Sequence, residues 1–414
     1  MKKLLVITGA GASIDFGMPS VHFIDSLFEG WAQECALLKH DPSKSLYTWV
    51  KDNMWEYCIQ NKRNRMNMLM GFENLLFVIQ HLAAMGYDRE WQHFNNRILP
   101  FVKMNELPAV ISFKRERIAS GGEFSFLQSW LVDQLLNYFR RSCGELEKTK
   151  SAEIEKLQSF FIELKRSFDI GFVNLNYDNV VLTALPDLQT GFDLSDGSFK
   201  RDLLYDKKWN FCYHLHGSVH FDMLGGKGME MHKIFWNKDL NSKFTQNSSG
   251  RSAQATAQGI NHLTSSIITG LDKANQILRE PFASYFMQMD RLIYESDAIL
   301  FIGYGFADEH LNSLFPFIRY DGRKRKVVVI DYATDDEDGL HFRQDDWTYG
   351  LFSAIPSNAY EMGDGKHAWA NATSYFKSRN LLEKSINQEY PLAIWYNGLL
   401  KACEHPDTVL AELE

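Results

Sequence analysis

The sequence predicts an α/β fold: a Rossmann-like parallel sheet with a large helical insertion after the first βα unit. Three observations lead there. Continuous apolar runs such as Leu4–Ile7, Ala298–Ile302 and Val327–Ile330 read as strands buried on both faces. These and similar runs lead into glycines or polar side chains: Gly9 and Gly11, Asn174 and Asn176, His216 and Gly217, Gly303 and Gly305, and Asp331. Helical spacing fills the intervals between them, which is the alternation of a parallel sheet.

In chain order, Leu4–Thr8 is the first strand and runs straight into Gly9-Ala10-Gly11-Ala12-Ser13. From Ser13 a helix can open, whose free N–H groups attract phosphate. Taken alone, this glycine pair fits a phosphate cradle and a bare strand-to-helix turn equally well. A common dinucleotide fold would next give a second strand tipped by an acid, about twenty residues beyond the glycines. No such strand follows. From Val21 to about Arg166 the pattern is mostly helical. Phe72, Leu75, Leu76, Ile79 and Leu82 recur at helical spacing, as do Leu127, Trp130, Leu131, Leu135 and Tyr138. Such stripes read as core packing.

Ile170–Asn174 is the second core strand and leads into Leu175-Asn176-Tyr177-Asp178-Asn179. Asn210–Leu215 is another, leading into His216-Gly217-Ser218. From His220 to about Ser266 the chain is irregular. Gly225-Gly226-Lys227-Gly228 and Asn247–Gln258 suggest mobile loops or a lid. Order returns with a helix over Ile277–Ile293 and a strand over Ala298–Ile302, ending in Gly303-Tyr304-Gly305-Phe306-Ala307-Asp308. A helix over Glu309–Phe317 follows, then a strand over Val327–Ile330 ending in Asp331; Ala368–Ser385 and Pro391–Glu404 read as helices. The expected organisation is a nucleotide-binding catalytic domain from residues 1–20 and 167–340. Residues 21–166 would be a helical insertion, and 341–414 a mainly helical extension packing on the core.

The 414 residues carry a net charge of −8, which argues against general affinity for nucleic acid or anionic lipid. Three local basic clusters, Lys62–Arg65, Lys114–Arg117 and Arg323–Lys326, read as solvated faces or loops. The five cysteines form no Cys-x-x-Cys pair and fit a reducing, cytoplasmic setting. No run approaches the ~18 apolar residues of a membrane span. An aromatic content of 14% suggests large packed surfaces and is compatible with an oligomer interface.

Asn176 and His216 are the candidate catalytic residues, because buried strands deliver both to one edge of the sheet, where ligands bind in open parallel sheets. Histidine can take a proton near neutral pH, and asparagine can orient a water or a ribose hydroxyl without charge. His214 competes with His216, since residues two apart in a strand point the same way; Gly217 favours His216 by ending the strand. A His-x-His chelate is the weaker reading, and no metal is expected.

Together these motifs resemble the sirtuin family, and more closely the sirtuin-like proteins of bacterial antiphage defence. Gly9-Ala10-Gly11-Ala12-Ser13 resembles the first NAD-binding loop. Asn176-Tyr177-Asp178 resembles the motif whose Asn contacts the nicotinamide ribose, and Leu215-His216-Gly217-Ser218 the segment with the catalytic His. Ile302–His310 is similar to the glycine-rich turn near the adenosine, and Asp331 stands where the family contacts the adenosine half. The resemblance spans residues 1–331. It implies NAD as substrate, held by Gly9, Ala10, Gly11, Ser13, Asp15, Tyr177, Asp178, Gly303, Tyr304, Gly305 and Asp331. The four-cysteine zinc ribbon of sirtuin deacetylases is missing. So is their Arg-bearing segment, since Pro19 is followed by Ser20, Val21 and His22. Both departures point away from protein deacylation and toward hydrolysis of free NAD to ADP-ribose and nicotinamide, as an abortive-infection effector. The resemblance further implies control by oligomerisation or by a partner, with a HerA-type hexameric ATPase as the preferred one. A non-hydrolytic NAD or ADP-ribose sensor and a protein deacylase are the alternatives.

Overall fold

A computed structural model describes residues 1–60, 71–85, 107–112, 114–206, 208–223, 233–242, 254–255, 261–262, 265–270, 273–315, 323, 325–335, 346–355, 372–386 and 391–414. The chain forms two compact units. One comprises Met1–Met18, Ser142–Val219 and Pro281–Glu414; the other comprises Pro19–Arg141 and His220–Glu280.

The first unit is built on a seven-stranded sheet. Its strands, numbered along the chain, are β1 (Lys2–Thr8), β2 (Phe168–Asn174), β3 (Asn210–His214), β4 (Ala298–Ile302), β5 (Lys326–Ile330), β6 (Glu383–Lys384) and β7 (Leu392–Trp395). Their spatial order is β6-β7-β5-β4-β1-β2-β3, with only β6 antiparallel to its neighbour. This is the Rossmann-like α/β arrangement. Leu4–Ile7 and Ala298–Ile302 are wholly buried, as continuous apolar runs require. The chain steps outward from β1 to β2 and β3, then returns to β4 on the other side. The order therefore reverses at β1, the position where open sheets of this kind bind ligands. Register brings Thr8 beside Asn174 and Ile302, and Asn174 beside His214, so the carboxyl ends are level.

Both faces are covered. Phe172 meets Phe161 of the helix Ser151–Lys165 edge-on at 4.9 Å. Tyr213, in register with Val173 and hence on the opposite face, stacks on Tyr285 of the helix Phe282–Glu295 at 5.2 Å.

The C-terminal part differs from its expected form. Leu392–Trp395 is not helical: it is β7, paired with β5, and helix begins at Leu399–Cys403. Ala372–Arg379 is helical as read, but Glu383–Lys384 forms β6. Four apolar residues in a row satisfy a buried strand and a buried helical turn alike, so spacing could not separate them. Helices Leu399–Cys403 and Pro406–Leu413 also belong to this unit.

In the second unit, Ser20 caps the helix Val21–Ala32 by accepting from the Phe23 N–H. Phe28 of this helix packs on Tyr47 and Phe72 from helices Leu46–Gln60 and Phe72–Met85. The expected helical region also holds a three-stranded antiparallel sheet of Leu37–Leu38, Ala109–Ser112 and Arg115–Ile118. Its strands are too short to register in a helix-length window. The unit starts close to the expected insertion 21–166 but departs from it in two respects. Ser142–Lys165 goes with the first unit, and the segment after His220 joins the second. There Phe221–Met223 pairs with Ile234–Trp236. The expected loop Gly225–Gly228 and most of Asn247–Gln258 lie outside the described residues, as does the cluster Lys62–Arg65. The cluster Lys114–Arg117 falls on a turn and an exposed strand. Arg325, read as part of a solvated face, is instead buried and donates to the carbonyls of Ser296 and Tyr294.

Candidate functional site

Every residue of the candidate site belongs to the first unit. Its floor is a contact between two glycine loops. The Gly9 N–H donates to Ile302 O and the Gly11 N–H to Gly303 O, each at 2.9 Å. A Cβ on Gly9 would lie 2.7 Å from Gly303 O, and one on Gly303 would lie 2.0 Å from the Ala12 nitrogen. Gly303 also holds φ +57°, a conformation glycine adopts without strain. Gly9, Gly11 and Gly303 are thus explained by the close approach of the two loops to each other. After the first glycine the chain, expected to form a helix or a loop over Ala12–Gly17, forms two short 3-10 turns, Ala10–Ala12 and Ile14–Phe16. The N–H groups of Gly9, Gly11, Ala12 and Ser13 all donate within the protein, which corrects the picture of a ready row of free donors. Ala10 stays exposed, and the position of a Cβ on Gly305 meets nothing within 4 Å.

Asn176 is held against this floor. Its Nδ2 donates to Gly9 O (2.8 Å) and to Ser13 Oγ (3.0 Å), and its backbone N–H to Asn174 Oδ1 (3.0 Å). Asn174 is fixed in turn by the Thr8 hydroxyl at 2.9 Å. Ser13 completes a chain by hydrogen bonding to Asp178. Asp178 is wholly buried, and burial pushes its carboxyl above the ordinary carboxylate range, against the lowering effect of the Ser13 and Val180 hydrogen bonds. It therefore stands behind Ser13 and reaches the site through that hydroxyl.

The two histidines separate clearly. His214 is buried at the end of β3, with Nδ1 3.5 Å from Asn174 Nδ2 and Nε2 3.8 Å from Cys212 Sγ. His216 lies beyond the strand, where Gly217 takes φ +103°. Its Nδ1 faces Leu175 O at 3.2 Å, next to Asn176, and its Nε2 faces Asp308 Oδ2 at 3.0 Å. Asp308 comes from the loop after β4. It is the functional-site side chain that sequence reasoning passed over. Its signal was an acid directly before a helix, which reads as an ordinary N-cap.

Other expected residues fall differently. The Tyr304 side chain is buried among Phe301 and Phe306 and donates to Asn312 Oδ1 at 2.7 Å, which leaves only its backbone at the site. Burial pushes its phenol upward. Tyr177 is half-buried, and its carbonyl accepts from the Val219 N–H. Asp331 is half-buried at the end of β5, its Oδ1 accepting from the Tyr332 N–H. Exposed Asp15 is drawn toward the same end, its carboxylate 4.0 Å from where a Cβ on Gly398 would sit, with the Tyr332 ring at 3.7 Å. All five cysteines are unpaired and buried. Among the described residues, no three His, Cys, Asp or Glu side chains gather as a metal site, and no helix is long and apolar enough to cross a membrane.

Comparison with known proteins bears on this arrangement. The SIR2-like domain family matches residues 171–348, which include Asn176, His216 and Asp308. No curated protein matches the sequence. Among solved structures, the chain is similar to a Sir2 homolog–NAD complex at 12% identity, covering 82% of this chain and 80% of that one, with a TM-score of 0.33. It is also similar to a mutant Sir2 homologue in complex with 2′-O-acetyl ADP ribose, at 14% identity, 82% coverage of each chain and a TM-score of 0.33. A third is Sir2Tm bound to a propionylated peptide, at 11% identity, covering 80% of this chain and 82% of that one, with a TM-score of 0.28. Residues 171–348, which hold most of β2, all of β3 to β5 and the Asn176, His216 and Asp308 side chains but not the Gly9–Ser13 loop, are thus similar to a SIR2-like domain.

Proposed function

We propose that the chain hydrolyses NAD at the nicotinamide–ribose bond, giving nicotinamide and ADP-ribose. The observation that carries this reading is the placement of Asn176 and His216. They follow the carboxyl ends of the adjacent strands β2 and β3, with His216 bonded to the carbonyl of the residue before Asn176 and Asn176 bonded to the Gly9 loop that follows β1. Among the described residues, Asn176 Oδ1 has no protein partner, because both of its bonded donor contacts run through Nδ2. That oxygen is suited to receive a ribose hydroxyl or water. Asp15 and Asp331 supply carboxylates suited to ribose hydroxyls. Exposed Ala10 and the open space at Gly305 leave room for the rest of a dinucleotide.

In the reaction, the bond between C1′ and the nicotinamide nitrogen breaks through an oxocarbenium-like state, and its electron pair leaves on nicotinamide. A water oxygen bonds to C1′ and its proton passes to His216. Asn176 orients the oxygen. The resemblance of the sequence motifs to those of sirtuin-like defence proteins is the ground for a role as an abortive-infection effector, restrained by self-assembly or by a HerA-type ATPase. The test is nicotinamide release from NAD by the purified chain, alone and with the products of neighbouring genes. Release in either condition, lost in Asn176→Ala and His216→Ala, supports the reading; no release in both, with none in infected cells, overturns it.

A further inference from the structure

Asp308 is fixed more firmly than a helix cap requires. Its Oδ1 accepts from the backbone N–H groups of His310 (3.1 Å) and Leu311 (3.2 Å), while Oδ2 faces His216 Nε2 at 3.0 Å. The loop beneath is braced by buried bonds: Tyr304 hydroxyl to Asn312 Oδ1, and Asn312 Nδ2 to Phe306 O, both 2.7 Å. Phe306 holds φ +52°, a strained value for a side chain of that size. These bonds and the Phe306 turn bracket Asp308 in the chain.

On the other side of the ring, Leu175 O faces Nδ1. A carbonyl and a carboxylate both accept, so both contacts are hydrogen bonds only when both ring nitrogens carry hydrogen. The surroundings match the form His216 reaches once it has taken a proton. We propose that Asp308 is a positioning residue for His216, which fixes the ring and supplies the counter-charge to the imidazolium formed on proton transfer. This inference rests on the NAD-cleavage reading. In the neutral ring the Nε2 hydrogen is held by Asp308 Oδ2 and Nδ1 is bare; as nicotinamide departs and the water oxygen bonds to C1′, the water proton ends on Nδ1, the Nε2 hydrogen stays on the side of Asp308, and Asp308 forms no covalent bond. A carboxylate so placed also offsets positive charge developing nearby on the ribose.

The variant Asp308→Asn tests it. Asparagine keeps the helix cap. With its one carbonyl oxygen in the cap, however, it turns an N–H toward His216. The expected result is a fall in kcat for nicotinamide release of about 100-fold or more, with the KM for NAD nearly unchanged. Nitrogen-15 spectra of histidine-labelled protein, assigned by loss of the signal in His216→Asn, should show Nε2 carrying hydrogen in the wild type and bare in Asp308→Asn. Asp308→Ala, in which the carboxylate is missing, should regain part of its turnover with added formate. Wild-type kcat in Asp308→Asn, ring spectra that do not change, or no formate rescue would each overturn the proposal. If the wild type releases no nicotinamide under any condition, the functional reading fails instead, and the spectra still decide whether Asp308 sets the state of His216.

Discussion

Asn176 shows how one amide can tie structure to chemistry. Its Nδ2 bonds leave Gly9 O and Ser13 Oγ satisfied, and they fix which way Oδ1 points. Truncation in Asn176→Ala removes both, so it should cost about 1–3 kcal/mol of stability, read from thermal unfolding. Nicotinamide release should fall by a larger factor, about 10²–10³, since a positioned polar group is worth more at the reacting centre. Asp178 behaves oppositely. Its carboxyl is raised by burial, so its charge is unfavourable in the fold at neutral pH. Asp178→Asn should therefore raise the melting temperature at pH 7. The gain should shrink on acidification, because the native wild type takes up its proton at a higher pH than the unfolded chain does. In the second unit, burial lowers His220 from 6.5 to about 4, its ring stacked on Trp236 at 4.6 Å. Here the unfolded chain binds the proton first, so stability is full above about pH 6.5 and is lost as pH falls toward 4. Between about pH 6.5 and 4 the melting temperature should fall more with acidification in the wild type than in His220→Gln.

At the level of elements, the two glycine loops act as one. A Cβ at residue 303 would collide with the Ala12 nitrogen and with Gly11, where the backbone is also left-handed. Gly303→Ala should cost about 3 kcal/mol or more, as clash and strain combine. Gly305→Ala meets open space and should leave the melting temperature unchanged, with its effect confined to the KM for NAD. Equal destabilisation by the two would contradict this division of roles. It also shows why part of the site was legible and part was not. Asn176 and His216 announce themselves as polar residues at the ends of apolar runs, a local pattern. The pairing of Asp308 with His216 joins a loop after β4 to one after β3, with β1 and β2 between them in the sheet. No spacing within either segment encodes it. The glycines likewise marked a close approach without saying that the partner was another glycine loop.

Across the whole chain, strands β1 to β5 were legible because each is an apolar run with a polar terminus. The last two strands were not, because Leu392–Trp395 follows too closely on helical patterns and is too short to show a period. Their placement changes what the C-terminal region does. β7 pairs along β5, and Leu392, Ala393, Ile394 and Trp395 are at most 3% exposed. Val409 and Leu413 of the last helix are buried as well, and the main chain of Asp331 is held by Trp395 O and the Gly398 N–H. Each large apolar side chain buried here contributes about 1.5–3 kcal/mol. Summed over Leu392, Ile394, Trp395, Leu399, Val409 and Leu413, the loss on removal is roughly 10 kcal/mol, comparable with the whole stability of an ordinary domain. A chain ended after Leu381 should therefore fail to give soluble folded protein, since β5 would be left as an open apolar edge. The check is sedimentation and circular dichroism of that truncation beside the full chain. A soluble, cooperatively melting product would mean that the sheet closes at β5 and that the tail only packs upon it. Failure to fold would place the tail within the core that holds Asp331 at the edge of the site.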